Sequence, residues 1–343
     1  MKAALIRRLG SITDTHATPL DIGSVADPVP GPGEVLIRIS ACGVCHTELD
    51  EIEGRTPPPS LPVIPGHQAV GRVADVGAGV LDLRPGDRVG VGWIFSSCGT
   101  CAWCRNGREN LCPQFRATGR DAHGGYAELM TVPAAFAHPI PDGFTDAEAA
   151  PLLCAGAIGY RSLRLANLPA GGRLGLTGFG ASAHLVLSMV RHRNPDTEVF
   201  VFARSKEEQA FARELGATWA GDTMATPPAL LDAIIDTTPV WTPIVCALGA
   251  LAPGGRLVVN AIRKEDGDKD ALRHLDYVSH LWLEKEVKSV ANVARTDIRE
   301  FLDLAAVMHL KPAVQEYALE DANAALLDLK QRRIRGAKVL RIG

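Results

Sequence analysis

Between Arg173 and Asn260, short apolar runs alternate with stretches of helical apolar spacing, and this alternation constrains the fold more than any other feature of the chain. Arg173-Leu-Gly-Leu-Thr177, Glu198 to Ala203, Leu231-Asp-Ala-Ile-Ile-Asp236 and Arg256-Leu-Val-Val-Asn260 read as buried strands. Ala181 to His192, Lys206 to Leu215 and Thr242 to Leu251 read as helices between and after them. Strands and helices taking turns in this way predict an α/β fold with a parallel, doubly wound sheet. The first strand runs directly into Gly178-Phe-Gly180-Ala-Ser-Ala183, a G-x-G-x-x-A turn that opens a helix. Gly178 permits the tight turn, Gly180 lets a pyrophosphate approach the backbone, and small Ala183 keeps the helix close to the strand. In a strand–turn–helix setting the motif predicts dinucleotide binding.

The end of the next strand bears on which dinucleotide. An NAD site usually places a carboxylate there for the ribose 2′-hydroxyl. Here the strand ends at Ala203, followed by Arg204, Ser205 and Lys206. Two cations and a hydroxyl suit a 2′-phosphate, so NADP(H) is favoured over NAD(H). The competing reading is a solvated helix start, with Glu207 and Glu208 favouring its N-terminus.

The remainder of the chain has a different texture. At 343 residues two domains are expected. Residues up to about 150 carry short β-type runs at Glu34–Ile39, Val70–Val76, Arg88–Val91 and Tyr126–Val132, separated by turns such as Pro30-Gly-Pro-Gly33 and Arg84-Pro-Gly-Asp87. They predict an irregular β-rich domain. The tail offers helices at Thr296–Met308 and Leu319–Gln331 and a strand at Lys338–Ile342. It is too short to stand alone and is expected to return to the first domain. Hydrophobic residues at 46%, charged residues at 22% and a net charge of −3 are ordinary for a soluble protein. No basic tail points to nucleic acid, and neither a signal peptide nor a membrane span is read, so a cytoplasmic enzyme is expected.

Four of the eight cysteines crowd into one stretch, Cys98, Cys101, Cys104 and Cys112. In a large chain of this kind C-x2-C-x2-C-x7-C reads as a metal site rather than a disulfide framework. Four thiolates complete tetrahedral Zn²⁺ and leave no position for substrate, so this site is expected to be structural. Outside it, Cys45, His67 and Cys154 are weak candidates singly. Together they offer two thiolates and an imidazole, the set that leaves zinc an open fourth position. Cys42, three residues before Cys45, is a rival ligand at this level, whereas Cys246 lies among apolar residues and reads as core.

These residues resemble the zinc-containing alcohol dehydrogenases of the medium-chain dehydrogenase/reductase superfamily. The resemblance rests on Gly43-Val-Cys-His-Thr-Glu48, on Gly66-His-Gln-Ala-Val-Gly71 with Gly77 and Val80, on the four-cysteine lobe, on Leu153-Cys-Ala-Gly156 and on the nucleotide turn. It implies a GroES-like catalytic domain over 1–154 and 292–343, with the zinc lobe near 93–115, and a Rossmann cofactor domain over 155–291. It further implies that Cys45 rather than Cys42 joins His67 and Cys154 on a catalytic zinc, giving two zinc ions per chain. By the same resemblance, His46 lies near the cofactor pyrophosphate, Thr47 bonds the substrate oxygen and starts the proton relay, and Glu48 supports His67. Trp93 matches a substrate-pocket aromatic and Arg295 a late cofactor-binding arginine. A tetramer or dimer is implied for the assembly. Three positions depart from the pattern: Gln68 replaces a usual Glu beside the catalytic metal, Asp50 stands at a frequent relay His, and Ile158 replaces a frequent Thr.

The implied reaction is hydride transfer between an alcohol and the matching aldehyde or ketone, with NAD(P) as the partner. A zinc-free quinone or enoyl reductase of the same superfamily is the first rival, and intact Cys45, His67 and Cys154 argue against it. The second is a non-catalytic metal-stabilised binding protein, which needs neither the nucleotide turn nor a second metal site.

Overall fold

The computed structural model describes residues 1–14, 17–331 and 336–343, which divide into two compact units, Met1–Cys154 with Val293–Gly343 and Ala155–Asn292. In the first unit, the described residues build a seven-stranded sheet around the strand Glu34–Val44. That strand pairs antiparallel with Ala69–Val76, with Leu129–Pro133 and with Ala337–Arg341. Arg88–Val91 and Ala137–Pro139 extend the sheet on one side, and Val314–Ala318 closes the other by pairing parallel to Ala337–Arg341. The tail thus returns to the first unit and supplies two strands of its sheet.

Alternation in Glu34–Val44 explains its central place. Val35, Ile37 and Ile39 are buried, while Glu34, Leu36 and Arg38 face outward or halfway. Beyond Ile39 every position from Ala41 to Val44 is buried, so the strand continues well past the alternating run that the sequence reveals. Close backbone approaches fix the glycines at its crossings. A Cβ on Gly71 would stand 2.1 Å from the Arg38 carbonyl oxygen, and one on Gly77 1.9 Å from that of Gly31.

The second unit holds a six-stranded sheet among the described residues, parallel throughout. Its spatial order is Trp219–Gly221, Glu198–Phe202, Arg173–Thr177, Leu231–Asp236, Leu251–Val259 and Glu286–Ser289. Numbered along the chain these strands run 3-2-1-4-5-6, the order of the dinucleotide-binding doubly wound fold, and the expected α/β class stands. The order reverses between Arg173–Thr177 and Leu231–Asp236, and both strands are apolar because helices cover both faces of such a sheet.

Element by element, the expected helices recur as Ala181–Arg193, Lys206–Glu214, Thr242–Ala250, Arg295–Val307 and Ala322–Lys330. The fifth Rossmann strand begins at Leu251, where the sequence pattern ends a helix, and passes through Pro253-Gly254-Gly255 with a register shift against its neighbour. The helix Ala155–Ala166 and the strands Trp219–Gly221, Glu286–Ser289 and Val314–Ala318 were not anticipated.

Candidate active site

Strand pairing brings the first two candidate ligands together. Cys42 pairs with Ala69 where Glu34–Val44 ends and Ala69–Val76 begins, so Cys45 just after one strand and His67 just before the other share one end of the sheet. Cys154 arrives from a separate direction, at the end of the short helix Ala150–Leu153. That turn lies close against the sheet because Gly90 and Gly92 leave room; Cβ atoms there would come within 2.8 Å of Leu153 Cδ1 and 3.1 Å of its carbonyl oxygen.

Cys45 Sγ, one His67 ring nitrogen and Cys154 Sγ all lie within 4.8 Å of one another. His67 Nε2 is 3.3 Å from Cys154 Sγ, and its other nitrogen, Nδ1, is 2.6 Å from Glu48 Oε1. Glu48 uses its second oxygen to accept from the Cys45 N–H at 2.7 Å. One buried carboxylate therefore orients both an imidazole and the backbone of a thiol, and it leaves Nε2 as the metal-facing nitrogen. Burial resists charge on His67, but Glu48 and the Cys45 sulfur outweigh it and hold the imidazole well above its usual pKa. Cys45 moves the opposite way, its thiol held well below the usual range chiefly by the hydrogen bond from Cys154. A thiolate, a second thiol and an oriented imidazole at this spacing suit a zinc ion with one open position.

Cys42 is not part of that cluster. Its sulfur is fully buried, donates to the Gly43 carbonyl at 3.7 Å, and is raised by burial. It lies 3.0 Å from where Cβ atoms on Gly66 and Gly125 would be, a packing position.

The remaining candidates around the cluster lie on the helix His46–Ile52 and on residues just outside the strands Ala69–Val76 and Ile94–Ser96. Thr47, on the helix His46–Ile52, has its hydroxyl 3.7 Å from Cys45 Sγ, and His46 opens that helix with its ring exposed. Gln68 is buried against Gly43, where even a Cβ would meet its Oε1 at 2.5 Å. Trp93 is 9% exposed, meets Phe115 with ring centroids 5.1 Å apart and planes tilted by 37°, and carries the Arg120 guanidinium 5.6 Å from its ring centroid. Asp50, at the expected relay position, is held by Arg55 Nε at 2.6 Å.

Arg295 lies apart from these residues in its bonding. Its Nε donates to Glu109 Oε1 at 2.8 Å, its backbone N–H reaches the same oxygen, and its guanidinium stands 4.6 Å over Phe136. Glu109 lies three residues before Cys112, so this geometry ties the helix Arg295–Val307 to the cysteine lobe. Sequence reasoning missed Glu109, which carries no motif signal.

In that lobe the four sulfurs of Cys98, Cys101, Cys104 and Cys112 also lie within 4.8 Å of one another. Backbone N–H groups aim at them: Cys101 N donates to Cys98 Sγ and Gln114 N to Cys112 Sγ, both at 3.3 Å. N–H donors of Thr100 and then Cys101 lower the Cys98 thiol to about 6, a donor set prepared for thiolates and hence for a closed tetrahedral ion.

The nucleotide turn lies in the second unit at the strand-order reversal. Gly178 has φ +78°, which a side chain tolerates poorly, and a Cβ there would meet Thr237 Oγ1 at 2.8 Å. Gly180 precedes the helix Ala181–Arg193 with open space around its missing side chain, and Ala183 is fully buried. At the end of the second strand Ala203 is buried, Arg204 and Lys206 are exposed, and Ser205 caps the next helix by accepting from the Glu208 N–H.

Residues 31–142 match the alcohol dehydrogenase GroES-like domain. Over its whole length the chain is 46% identical to a probable alcohol dehydrogenase, AdhA, of Mycobacterium tuberculosis (strain CDC 1551 / Oshkosh), covering 97% of that protein. The chain belongs to the zinc-type alcohol dehydrogenases of the medium-chain superfamily. An alcohol dehydrogenase of Geobacillus stearothermophilus is 33% identical over the full chain and 99% of its own length. Among solved structures, a cobalt- and zinc-bound thermostable alcohol dehydrogenase from Pyrobaculum aerophilum is 25% identical and superposes with a TM-score of 0.86, over 99% of each chain.

Proposed function

We propose that this alcohol dehydrogenase works through Cys45, His67 and Cys154 on a catalytic zinc, with Cys98, Cys101, Cys104 and Cys112 on a second, structural zinc, and that it prefers NADP(H). The observation that carries the reading is the convergence of two sulfurs and an imidazole nitrogen, with Glu48 fixing the imidazole from behind. When bound, the catalytic ion supplies a Lewis acid that makes an alcohol a stronger acid near neutral pH.

The chain's own residues do the rest. Thr47 takes the substrate proton at Oγ1 and passes its own outward, a role its place beside Cys45 supports. Asp50 is bonded to Arg55 and, when ionised, can only accept, whereas a neutral histidine accepts at one nitrogen and donates at the other, so the outer path need not pass through Asp50. Trp93 and its neighbour Phe115 offer an apolar wall for the carbon chain. Gln68 leaves the metal surroundings less negative than a glutamate does. The Gly178–Ala183 turn holds the cofactor pyrophosphate at the start of the helix Ala181–Arg193. Arg295, engaged with Glu109, is assigned to bracing the cysteine lobe rather than to the cofactor.

For cofactor choice, Arg204 has no ion-pair partner among the described residues, and the strand end carries no acid. One charge-assisted bond to a 2′-phosphate is worth roughly 1.5–3 kcal/mol, less when exposed to salt. A lower KM for NADP(H) than NAD(H) is expected, with the order reversed in Ala203→Asp, Arg204→Ile. A parent preferring NAD(H), unmoved by Arg204→Ala, overturns that preference alone.

A homo-oligomer suits the outer strand Glu286–Ser289, which has a free edge among the described residues, carries exposed Val287 and follows exposed Tyr277, Val278, Trp282 and Leu283 in the chain. Light scattering on the parent and on Val287→Pro tests it: a monomeric parent removes the proposal. The described residues include no helix long and apolar enough to cross a membrane, and unpaired cysteines suit a reducing compartment, so we assign the enzyme to the cytoplasm. Zinc analysis together with a substrate panel run on both cofactors tests the whole reading. Two zinc ions per chain and turnover of small alcohols are expected, and a single zinc refutes the two-site assignment.

A further inference from the structure

A buried ion pair sits at the strand-order reversal of the second unit, and the reaction as described gives it no role. Asp236 ends the fourth Rossmann strand and is wholly buried; Lys264, on the segment after the fifth, is 7% exposed. Asp236 Oδ1 accepts from Thr177 Oγ1 at 2.5 Å and from Thr238 Oγ1 at 2.7 Å. Its other oxygen pairs with Lys264 Nζ, which also donates to the carbonyls of Thr238 at 2.7 Å and Val240 at 3.1 Å. Three donors meet three acceptors, so the ammonium has no N–H left for a ligand.

The segment it grips bears directly on the nucleotide turn. Thr237 N–H and Oγ1 both donate to the Thr177 carbonyl at 3.0 Å. Thr237 and Thr238 also fill the space that a Cβ on Gly178 would need. On the far side, Asp268 accepts from the N–H groups of Trp241 and Thr242, so the segment after the fifth strand holds residues 237–242 at both ends. In an open α/β sheet this reversal is where a dinucleotide crosses.

We infer that Lys264 is a positioning residue for the cofactor: with Asp236 it locks the 237–240 segment against the Gly178 turn, so that the nucleotide crevice is formed before the dinucleotide arrives. It never touches the ligand. A protein whose competent state is only partly populated binds with an affinity reduced by that fraction, which separates this role from direct recognition. Removing Lys264 also leaves Asp236 buried without its counter-charge, which favours rearrangement of the segment.

The inference rests on the turn binding a nicotinamide dinucleotide, and the experiment separates the two. NADPH and NADH are titrated by fluorescence into zinc-loaded parent, Lys264→Met, and a charge-balanced Asp236→Asn, Lys264→Gln double variant that strands no lone charge. The dissociation constant is expected to rise about tenfold or more in Lys264→Met, as when the competent state falls to about a tenth. Cofactor KM carries that loss, kcat at saturating cofactor changes little, and the Gly178 and Thr237 amides exchange faster in the free enzyme. Unchanged affinity with a lowered melting temperature makes the pair structural only and overturns the inference. If Lys264→Met does not fold, the double variant decides by the same comparison of affinity and amide exchange. A parent that binds neither nucleotide overturns the cofactor reading instead.

Discussion

Adding one methyl group at either glycine of the nucleotide turn separates strain in the protein from obstruction of the ligand. Gly178 has φ +78°, where an L-residue pays about 1–2 kcal/mol. Its new Cβ would also stand 2.8 Å from Thr237 Oγ1 and 3.0 Å from Thr238 Cγ2, so the turn must move. Gly178→Ala is therefore expected to destabilise the cofactor-free protein by at least that strain, lowering the melting of its second unit by roughly 2–8 °C. Gly180 differs in both respects: its φ is −92° and no heavy atom lies within 4 Å of the added carbon. Gly180→Ala should melt as the parent does, or slightly higher, since Gly→Ala at a compatible position restricts the unfolded chain. Its methyl group nevertheless projects where the pyrophosphate meets the backbone, and a loss of about 1.4 kcal/mol is tenfold in affinity. Calorimetric melting and NADPH titration on both variants check this. Parent-like NADPH affinity in Gly180→Ala refutes the placement of the pyrophosphate at this turn, and parent-like melting of Gly178→Ala refutes the strain argument.

Cys45→Ser is expected to lose one zinc per chain and nearly all turnover, while Cys42→Ser, altering a packed sulfur outside the cluster, keeps both; equal metal loss by elemental analysis reverses the assignment. Thr47→Val keeps the volume but removes the proton acceptor, so kcat should fall by about 10²–10⁴-fold with zinc retained. Burial, aided by Arg299 and Arg295, lowers His138 to about 4 from an ordinary value near 6.5. The unfolded chain binds the proton first, so this contribution is full above pH 6.5 and lost as pH falls toward 4, by about 3 kcal/mol in all. Urea unfolding across that window should show a shallower slope for His138→Phe than for the parent.

Much of this architecture is legible in the sequence because local signals and global packing agree. Leu231-Asp-Ala-Ile-Ile-Asp236 is apolar enough to be a strand covered on both faces, and Glu207 and Glu208 mark the start of Lys206–Glu214. The elements that escape notice carry weak local signals. Glu286-Val-Lys-Ser289 is an exposed edge strand in which Val287 is the single apolar residue, too little to mark a strand. Trp219–Gly221 is three residues long, and Gly156 and Gly159 dilute the helical pattern of Ala155–Ala166. Glu34–Val44 is read short because burial on both sides erases its alternation after Ile39.

The site follows the same division. Spacing alone yields the four-cysteine lobe, since consecutive knuckles of chain can close on one ion. Cys45, His67 and Cys154 stand far apart in sequence, and no spacing rule unites them; they meet because antiparallel pairing of Glu34–Val44 with Ala69–Val76 brings two chain ends together, and glycines at 90 and 92 admit the third. Only knowledge of related motifs bridges that gap from the sequence. Contacts made by unremarkable residues leave no such trace. Glu109 meets Arg295 across 186 positions, and Lys264 meets Asp236 across 28. Each pair joins a segment with a recognisable function to one without, so the functional half is visible in the sequence and its support is visible only in the fold. The Asp236–Lys264 network is the sharper case. Every donor of Lys264 is satisfied inside the protein, and its effect on the cofactor can come only through the backbone that it holds.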